Sequence, residues 1–207
     1  MFIINLQKAV IILLNFYLLL LSPQFTISIS GGGLIEKKIR LTINVYNNLN
    51  KMKYILIGGS GFIGQHFTKI LKNDIIANLD IDSGINNSNF TYCNILKKND
   101  LDNITISSEE EVTLIHLAAV HFDFQKKFFK TNVDGTRNIL NFITKHQNIK
   151  KFVFFSSVAT YGNSRFGKNE SSDQIPVNDY GKSKLEAEKL IFNSLNLAWM
   201  IVSPTGS

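Results

Sequence analysis

"YILIGGSGFIG", Tyr54 to Gly64, sets four glycines within seven positions directly behind an apolar, β-branched run. The run Tyr54-Ile55-Leu56-Ile57 suits a strand buried on both faces. Gly58, Gly61 and Gly64 recur every third residue, and Phe62 to Lys72 then carries Phe62, Ile63, Phe67, Ile70 and Leu71 at helical spacing. A strand, a glycine turn and a helix N-terminus together form an anion site, because free backbone N–H groups and the helix dipole face the turn. Glycine allows the tight turn, lets the backbone approach a pyrophosphate, and lets helix and strand pack closely. A flexible loop is the plainer reading. The next segment of chain argues against it: Ile75-Ile76-Ala77-Asn78-Leu79-Asp80 is a second strand closing in a carboxylate, which can accept both hydroxyls of an adenosine ribose. Asp82 is the neighbouring candidate, since pattern fixes a strand end only to within about two residues.

Composition sets the bounds. A chain of 207 residues with 44% apolar content suits one domain with a real core. The single cysteine, Cys93, excludes an internal disulfide and fits a reducing cytosol. No cluster of Cys and His has metal-ligand spacing, so no metal site is expected. The net charge of +6 would suit nucleic acid, but its distribution does not. Residues 1–51 carry five basic residues and one acidic, whereas 52–207 carry 17 basic and 15 acidic. The nearest approach to a basic stripe, Lys126-Lys127-Phe128-Phe129-Lys130, reads as the solvated face of a helix.

Residues 1–51 are a separate segment. Ala9 to Leu21 is a 13-residue apolar block broken only by Asn15, short of the ~20 residues of a spanning helix. A cleaved secretory signal fits the length but leads to a compartment poor in a nicotinamide cofactor. A weak membrane anchor would leave the following domain cytoplasmic, given Lys37, Lys38 and Arg40 downstream against Lys8 upstream. The third reading is a natural start at Met52, with the leader an upstream extension. Gly31-Gly32-Gly33 reads as linker.

From Met52 onward, strand patterns alternate with helical ones. Phe90-Thr91-Tyr92 is a short strand, Val112 to Leu117 a buried one running into Ala118-Ala119, and Phe152 to Phe155 another closing in Ser156-Ser157. A helix is expected from about Phe124 to His146, with Val133, Ile139, Leu140 and Ile143 on one side, and another from Tyr180 to Leu195. Trp199 to Val202 is the last strand. This alternation predicts an α/β fold, a doubly wound parallel sheet with helices on both faces.

In "YGKSKLEAEKLI", Tyr180 and Lys184 fall on one helical face. An ordinary amphipathic helix would explain the spacing. A Tyr beside a fixed ammonium has its phenolate favoured, however, and becomes usable as a general acid/base. Ser157 falls at a strand's carboxyl end, where such sheets present side chains to ligands.

With these pieces in order, the chain resembles the extended short-chain dehydrogenase/reductase family of nucleotide-sugar epimerases and dehydratases. The resemblance rests on "GGSGFIG" at 58–64, Asp80, "HLAA" at 116–119, "TNVDGTRNIL" at 131–140, "SSVATYG" at 156–162 and "YGKSK" at 180–184, and runs from about Met52 to Pro204. It implies a Rossmann-like fold, bound NAD and a nucleotide-sugar substrate. It implies that Gly58, Gly61 and Gly64 hold the pyrophosphate, with backbone amides from Phe62 and Ile63, and that Asp80 takes the adenosine ribose. Asn94 stands where the family usually has an Asp near adenine. Leu117, Ala118 and Ala119 would line the nicotinamide side, and Asn132 would support the catalytic helix. Tyr180 would be the acid/base, Lys184 would bind the nicotinamide ribose and depress the Tyr pKa, and Ser157, rather than Ser156, would hydrogen-bond the reacting oxygen. His116 reads as a packed strand residue, and His66, His121 and His146 as surface or helix residues.

The expectation is an NAD-linked 4-epimerase of a UDP-sugar. A 4-keto sugar reductase of the same family and a non-catalytic dinucleotide-binding module are the alternatives. Dehydratases of the family place an Asp-Glu pair just after the active-site hydroxyl; Val158 and Ala159 stand here and cannot move protons. Asp80, with no Arg or Lys between it and Lys97, implies NAD over NADP. A cytoplasmic location, a homodimer in the full-length protein, and no nucleic-acid partner are expected. The family normally has Arg-Pro followed by a substrate-binding part; here Ser203-Pro204 comes near the end. The 207-residue chain alone is therefore expected to bind NAD poorly, to aggregate and not to turn over sugar nucleotides.

Overall fold

The computed structural model describes residues 52–84, 89–106, 109–121, 127–163, 171–194 and 196–204. The readings of residues 1–51, the apolar block at 9–21 among them, lie outside the described residues. Among the described residues six strands form one sheet: β1 Lys53–Ile57, β2 Ile75–Asp80, β3 Phe90–Tyr92, β4 Val112–His116, β5 Ile149–Phe155 and β6 Ala198–Val202. Four α-helices accompany them, again among the described residues: α1 Phe62–Leu71, α2 Lys98–Asp102, α3 Gly135–Lys145 and α4 Asp179–Ser194. The strand order is β3-β2-β1-β4-β5-β6, and every pairing is parallel. This is the Rossmann-like, doubly wound arrangement that the alternation predicts. Its order reverses between β1 and β4, so the crevice beyond their carboxyl ends is where such a sheet receives a ligand.

The central strands are buried on both faces, which is why they read as unbroken apolar runs. Ile55, Leu56, Ile57, Leu114, Phe152 and Phe154 are all essentially inaccessible. Helix α3 covers one face with Ile139, Leu140, Phe142 and Ile143, each burial stabilising by roughly 1.5–3 kcal/mol. A π-helical turn, Lys130–Asp134, leads into it and buries Asn132 and Val133. The expected start of this helix near Phe124 lies outside the described residues.

Two elements differ from the pattern reading. Strand β5 begins at Ile149 rather than Phe152, because Lys151 is buried within it despite its charge. Helix α1 buries Gly64, Phe67 and Leu71, not the whole apolar set; Phe62 is 79% exposed and Ile70 is exposed as well. The cause is Gly64. Its missing side chain brings α1 against the Gly59 backbone, so the buried face is the one centred on that glycine. Phe62 and Ile70 are rotated away from it.

Candidate active site

The turn after β1 is shaped by atoms too close for side chains. Gly58 has φ +80°, and a Cβ there would lie 2.6 Å from the Ala118 backbone, which follows β4 across the sheet's switch point. A Cβ on Gly64 would lie 2.4 Å from the Gly59 backbone. Gly61 differs: a Cβ there would meet only the Gly58 carbonyl, at 3.5 Å. The protein's own packing therefore does not require glycine at Gly61. It leaves an open cradle at the N-terminus of α1, where no side chain caps the helix and the first-turn amides of Phe62 and Ile63 lack intrahelical acceptors. This cradle fits a pyrophosphate group.

Asp80 closes β2 beside the turn. Its Oδ2 accepts from the Ser60 N–H at 2.9 Å and its Oδ1 from the Ile81 N–H at 2.7 Å, which places the carboxylate at the mouth of the glycine turn. Asp82 lies in the exposed turn beyond, accepting from the Gly84 N–H. Asn94 is partly committed to its own turn: its Oδ1 accepts from the Leu96 N–H and its N–H donates to Asp100. Past β4, the Leu117 and Ala118 N–H groups both donate to the Ile57 carbonyl at 2.8 and 2.9 Å, holding Leu117, Ala118 and Ala119 alongside the glycine turn.

The second half of the site lies beyond β5. Ser157 caps a 3₁₀ turn over Val158–Tyr161, its Oγ accepting from the Ala159 N–H at 3.1 Å. The Tyr180 side chain, on the first turn of α4, comes close enough to Ser157 for that residue to act on its pKa. Gly181 makes this meeting possible, since a Cβ there would lie 2.4 Å from the Ala159 carbonyl oxygen. Asn132 ties the two halves together from its π-helical turn. Its side chain exchanges hydrogen bonds with the Val120 backbone at 2.8 and 2.9 Å and donates to Ser183 Oγ at 3.0 Å. Ser183 lies between Tyr180 and Lys184 in sequence, so Asn132 fixes α4 against the loop after β4.

The electrostatics correct one expectation. Instead of the lowering expected from Lys184, the Tyr180 pKa is raised by burial, with Ser157 opposing. The reason is where the ammonium lies. It is buried, 4.4 Å over the Phe154 ring, and its own pKa is pushed down to about 7 by desolvation, with the Glu188 carboxylate working against that. Glu188 is buried too, accepting from Ser156 Oγ on Oε1 and from Gln174 Nε2 at 2.7 Å on Oε2. Gln174 also donates to Thr160, whose hydroxyl donates to the Ser157 carbonyl. Ser156 thus faces this buried network while its neighbour Ser157 faces Tyr180.

His116 is buried at the end of β4, beside Phe154. Thr136 donates its hydroxyl proton to the Asn132 carbonyl, so it accepts from His116 Nε2–H at 3.1 Å and leaves Nδ1 without a partner. Burial, with help from the Lys184 charge, holds its pKa well below the ordinary value, so the ring is neutral and packed. Among the described residues no group of three His, Cys, Asp or Glu could hold a metal, and no helix is long and apolar enough to cross a membrane. Cys93 is a free, buried thiol.

Sequence reasoning missed Asn78, Gly181, Gln174 and Glu188. Asn78 had a signal, a carboxamide in the middle of an apolar strand. So did Glu188, one turn beyond Lys184 on the face shared with Tyr180.

Residues 54–199 match the NAD dependent epimerase/dehydratase family, and the chain belongs to that family. It is 33% identical over 150 residues to N-acetyl-alpha-D-glucosaminyl-diphospho-ditrans,octacis-undecaprenol 4-epimerase of Escherichia coli O157:H7, covering 70% of this chain and 44% of that one. It is 34% identical over 182 residues to dTDP-D-glucose 4,6-dehydratase of Dictyostelium discoideum, covering 72% and 42%. The crystal structure of UDP-glucose 4-epimerase from Brucella ovis in complex with NAD superposes with a TM-score of 0.61 at 28% identity, over 72% of this chain and 50% of that one. The chain thus spans less than half the length of these two curated relatives.

Proposed function

We propose that this chain is an NAD-linked nucleotide-sugar enzyme of the epimerase type, working at a sugar carbon that carries a hydroxyl, C4 of a UDP-sugar first among the candidates, in the cytoplasm. The observation that carries the reading is the approach of Tyr180 to Ser157, allowed by Gly181 packing on the Ala159 carbonyl, at the same end of the sheet as the open Gly61 cradle. A nicotinamide dinucleotide, when bound, supplies hydride acceptor and donor chemistry. Gly58, Gly61, Gly64 and the Phe62 and Ile63 amides would hold its pyrophosphate, and Asp80 its adenosine ribose. Leu117, Ala118 and Ala119 would border the nicotinamide, with Lys184 reaching its ribose. Tyr180 would take the hydroxyl proton from the sugar and later return it, with Ser157 orienting the sugar oxygen. Val158 and Ala159 carry no proton-transferring group, which speaks against loss of water from the sugar.

A second reading is a 4-keto sugar reductase, in which the protonated Tyr180 phenol would donate to a ketone. Incubation of the purified chain with NAD and UDP-glucose or UDP-N-acetylglucosamine, followed by proton NMR, separates the readings. Appearance of the C4 epimer with no net NADH supports the epimerase. NADH-dependent consumption of a 4-keto sugar supports the reductase. Binding of NAD with neither reaction supports a dinucleotide-binding module, and a 4-keto-6-deoxy product would overturn the argument from Val158 and Ala159.

A further inference from the structure

Beneath the glycine turn, a side chain that none of the dinucleotide contacts includes is tied to the turn through one backbone amide and one hydroxyl. Asn78 lies in the middle of β2 and is wholly inaccessible. Its Oδ1 accepts from the Gly59 N–H at 2.9 Å, and its Nδ2 donates to Ser60 Oγ at 3.1 Å. Two residues further along the same face of β2, Asp80 takes the next amide, Ser60 N–H, at 2.9 Å. Gly59 is a glycine for this reason among others: a Cβ there would come within 2.3 Å of Asn78 Oδ1 and 2.9 Å of Leu56 Cβ. The consecutive amides of Gly59 and Ser60 are thus turned down onto β2, while those of Phe62 and Ile63 open toward the cradle.

We propose that Asn78 is a positioning residue for dinucleotide binding: its carboxamide locks the Gly59-Ser60 backbone so that the amides beyond Gly61 point at a pyrophosphate. The inference rests on the dinucleotide reading of the site and deepens it. A strand residue there needs only to be apolar and compact for the sheet to form. A buried carboxamide is justified by the two turn groups that it satisfies, because an amide N–H left buried and unpaired is costly. Preorganised donors also spare the ligand the cost of ordering them on binding.

The test replaces Asn78 with Leu, similar in volume and without polar atoms, in the 207-residue chain. NAD and adenosine are titrated calorimetrically, and backbone amide exchange is followed by NMR. The expected result is NAD binding about 10-fold weaker, as for loss of one buried hydrogen bond and the ordering it provides. Adenosine, which has no phosphate, should bind as before, and the Gly59 amide should exchange faster. Unchanged NAD affinity with only a lower melting temperature would overturn the proposal, as would equal losses for NAD and adenosine. Should Asn78→Leu fail to fold, the unaltered protein decides. A through-hydrogen-bond coupling between the Gly59 nitrogen and the Asn78 Cγ is expected, and an unprotected Gly59 amide would refute the lock. If the unaltered protein binds no NAD, the dinucleotide reading fails, while the Gly59 measurement still reports on Asn78 by itself.

Discussion

The turn after β1 and the turn after β5 lie at the same end of one parallel sheet, yet different forces hold them. The first is steric. Gly58, Gly59 and Gly64 each occupy a place where a Cβ would meet backbone or buried side-chain atoms closer than 3 Å. The second is polar. Ser156, Ser157, Thr160, Gln174 and Glu188 form a connected set of hydrogen bonds, with a buried ammonium beside it. A steric contact fails when an atom is added and is indifferent to pH, even where, as at this turn, Asn78 and Asp80 add polar ties to the backbone. A polar turn tolerates small changes of shape but responds to any change in charge or donor count.

The largest effect is expected at the polar turn. Tyr180→Phe removes the hydroxyl near Ser157, while keeping the ring that packs against Phe128. On the proposed acid/base role, sugar-nucleotide turnover by a form of the protein that has it should fall by at least the ~10²–10⁴-fold typical of a general acid/base, with NAD affinity nearly unchanged. Retained turnover, measured by proton NMR of the sugar nucleotide, would remove Tyr180 from the chemistry.

Next come two glycines that the sequence pattern treats alike and the structure does not. Gly58→Ala forces a left-handed φ on a side chain that also overlaps Ala118, so it should cost at least ~2 kcal/mol of stability, read from urea unfolding. Gly61→Ala meets no such obstacle, and its extended backbone at φ −71° accepts alanine; the expected loss is about 1 kcal/mol or less. Gly61→Ala should nonetheless weaken NAD, because its methyl projects into the cradle. Equal destabilisation by both would show that packing, and not a ligand, keeps Gly61 a glycine.

Asp80→Ala should act more mildly. The Ser60 N–H loses its acceptor, and the negative charge that would repel a 2′-phosphate disappears. NAD binding should weaken by about 10-fold, and the preference over NADP should narrow. Tighter binding of NADP than NAD by the unaltered chain would contradict the role given to Asp80.

These contrasts track what was legible in the sequence. The parallel α/β sheet and the glycine turn follow from periodicity and spacing, because glycine spacing and apolar runs record steric facts directly; the joint roles of Ser157 and Tyr180 are implied by the family resemblance. Burial of individual charges is not recorded in that way. "YGKSK" places Tyr180 and Lys184 on one face, but whether the ammonium serves the phenol or a carboxylate depends on which side chains surround it. Phe154 lies on β5 and Glu188 on α4, and in the surroundings they help to build, desolvation draws Lys184 down to a pKa of about 7. Asn78 was hidden for a similar reason. One of its two partners is a backbone amide, and backbone groups leave no trace in composition.

The smallest expected effect is a change of slope. The folded pKa of Lys184, about 7, lies below its unfolded value of 10.5. Between these values the unfolded chain holds a proton that the native chain lacks, so the contribution of Lys184 to stability rises with pH across that window. Below about 7 the ammonium is charged in both states and its burial is fully unfavourable. Lys184→Met keeps the length of the side chain and removes the charge. Thermal melts from pH 6 to 9 should therefore show the variant gaining most over the unaltered chain at pH 6 and progressively less toward pH 9. The slope will not vanish, because Lys151, drawn down to about 8 by burial, contributes the same sign over a narrower range. His116, neutral in the core, faces Lys184 and gives stability that falls below its ordinary pKa of 6.5, so the comparison is cleanest above that pH. A constant difference between the two chains from pH 6.5 to 9 would mean that Lys184 keeps an ordinary pKa. The buried network around Glu188 would then pair it far better than its geometry indicates.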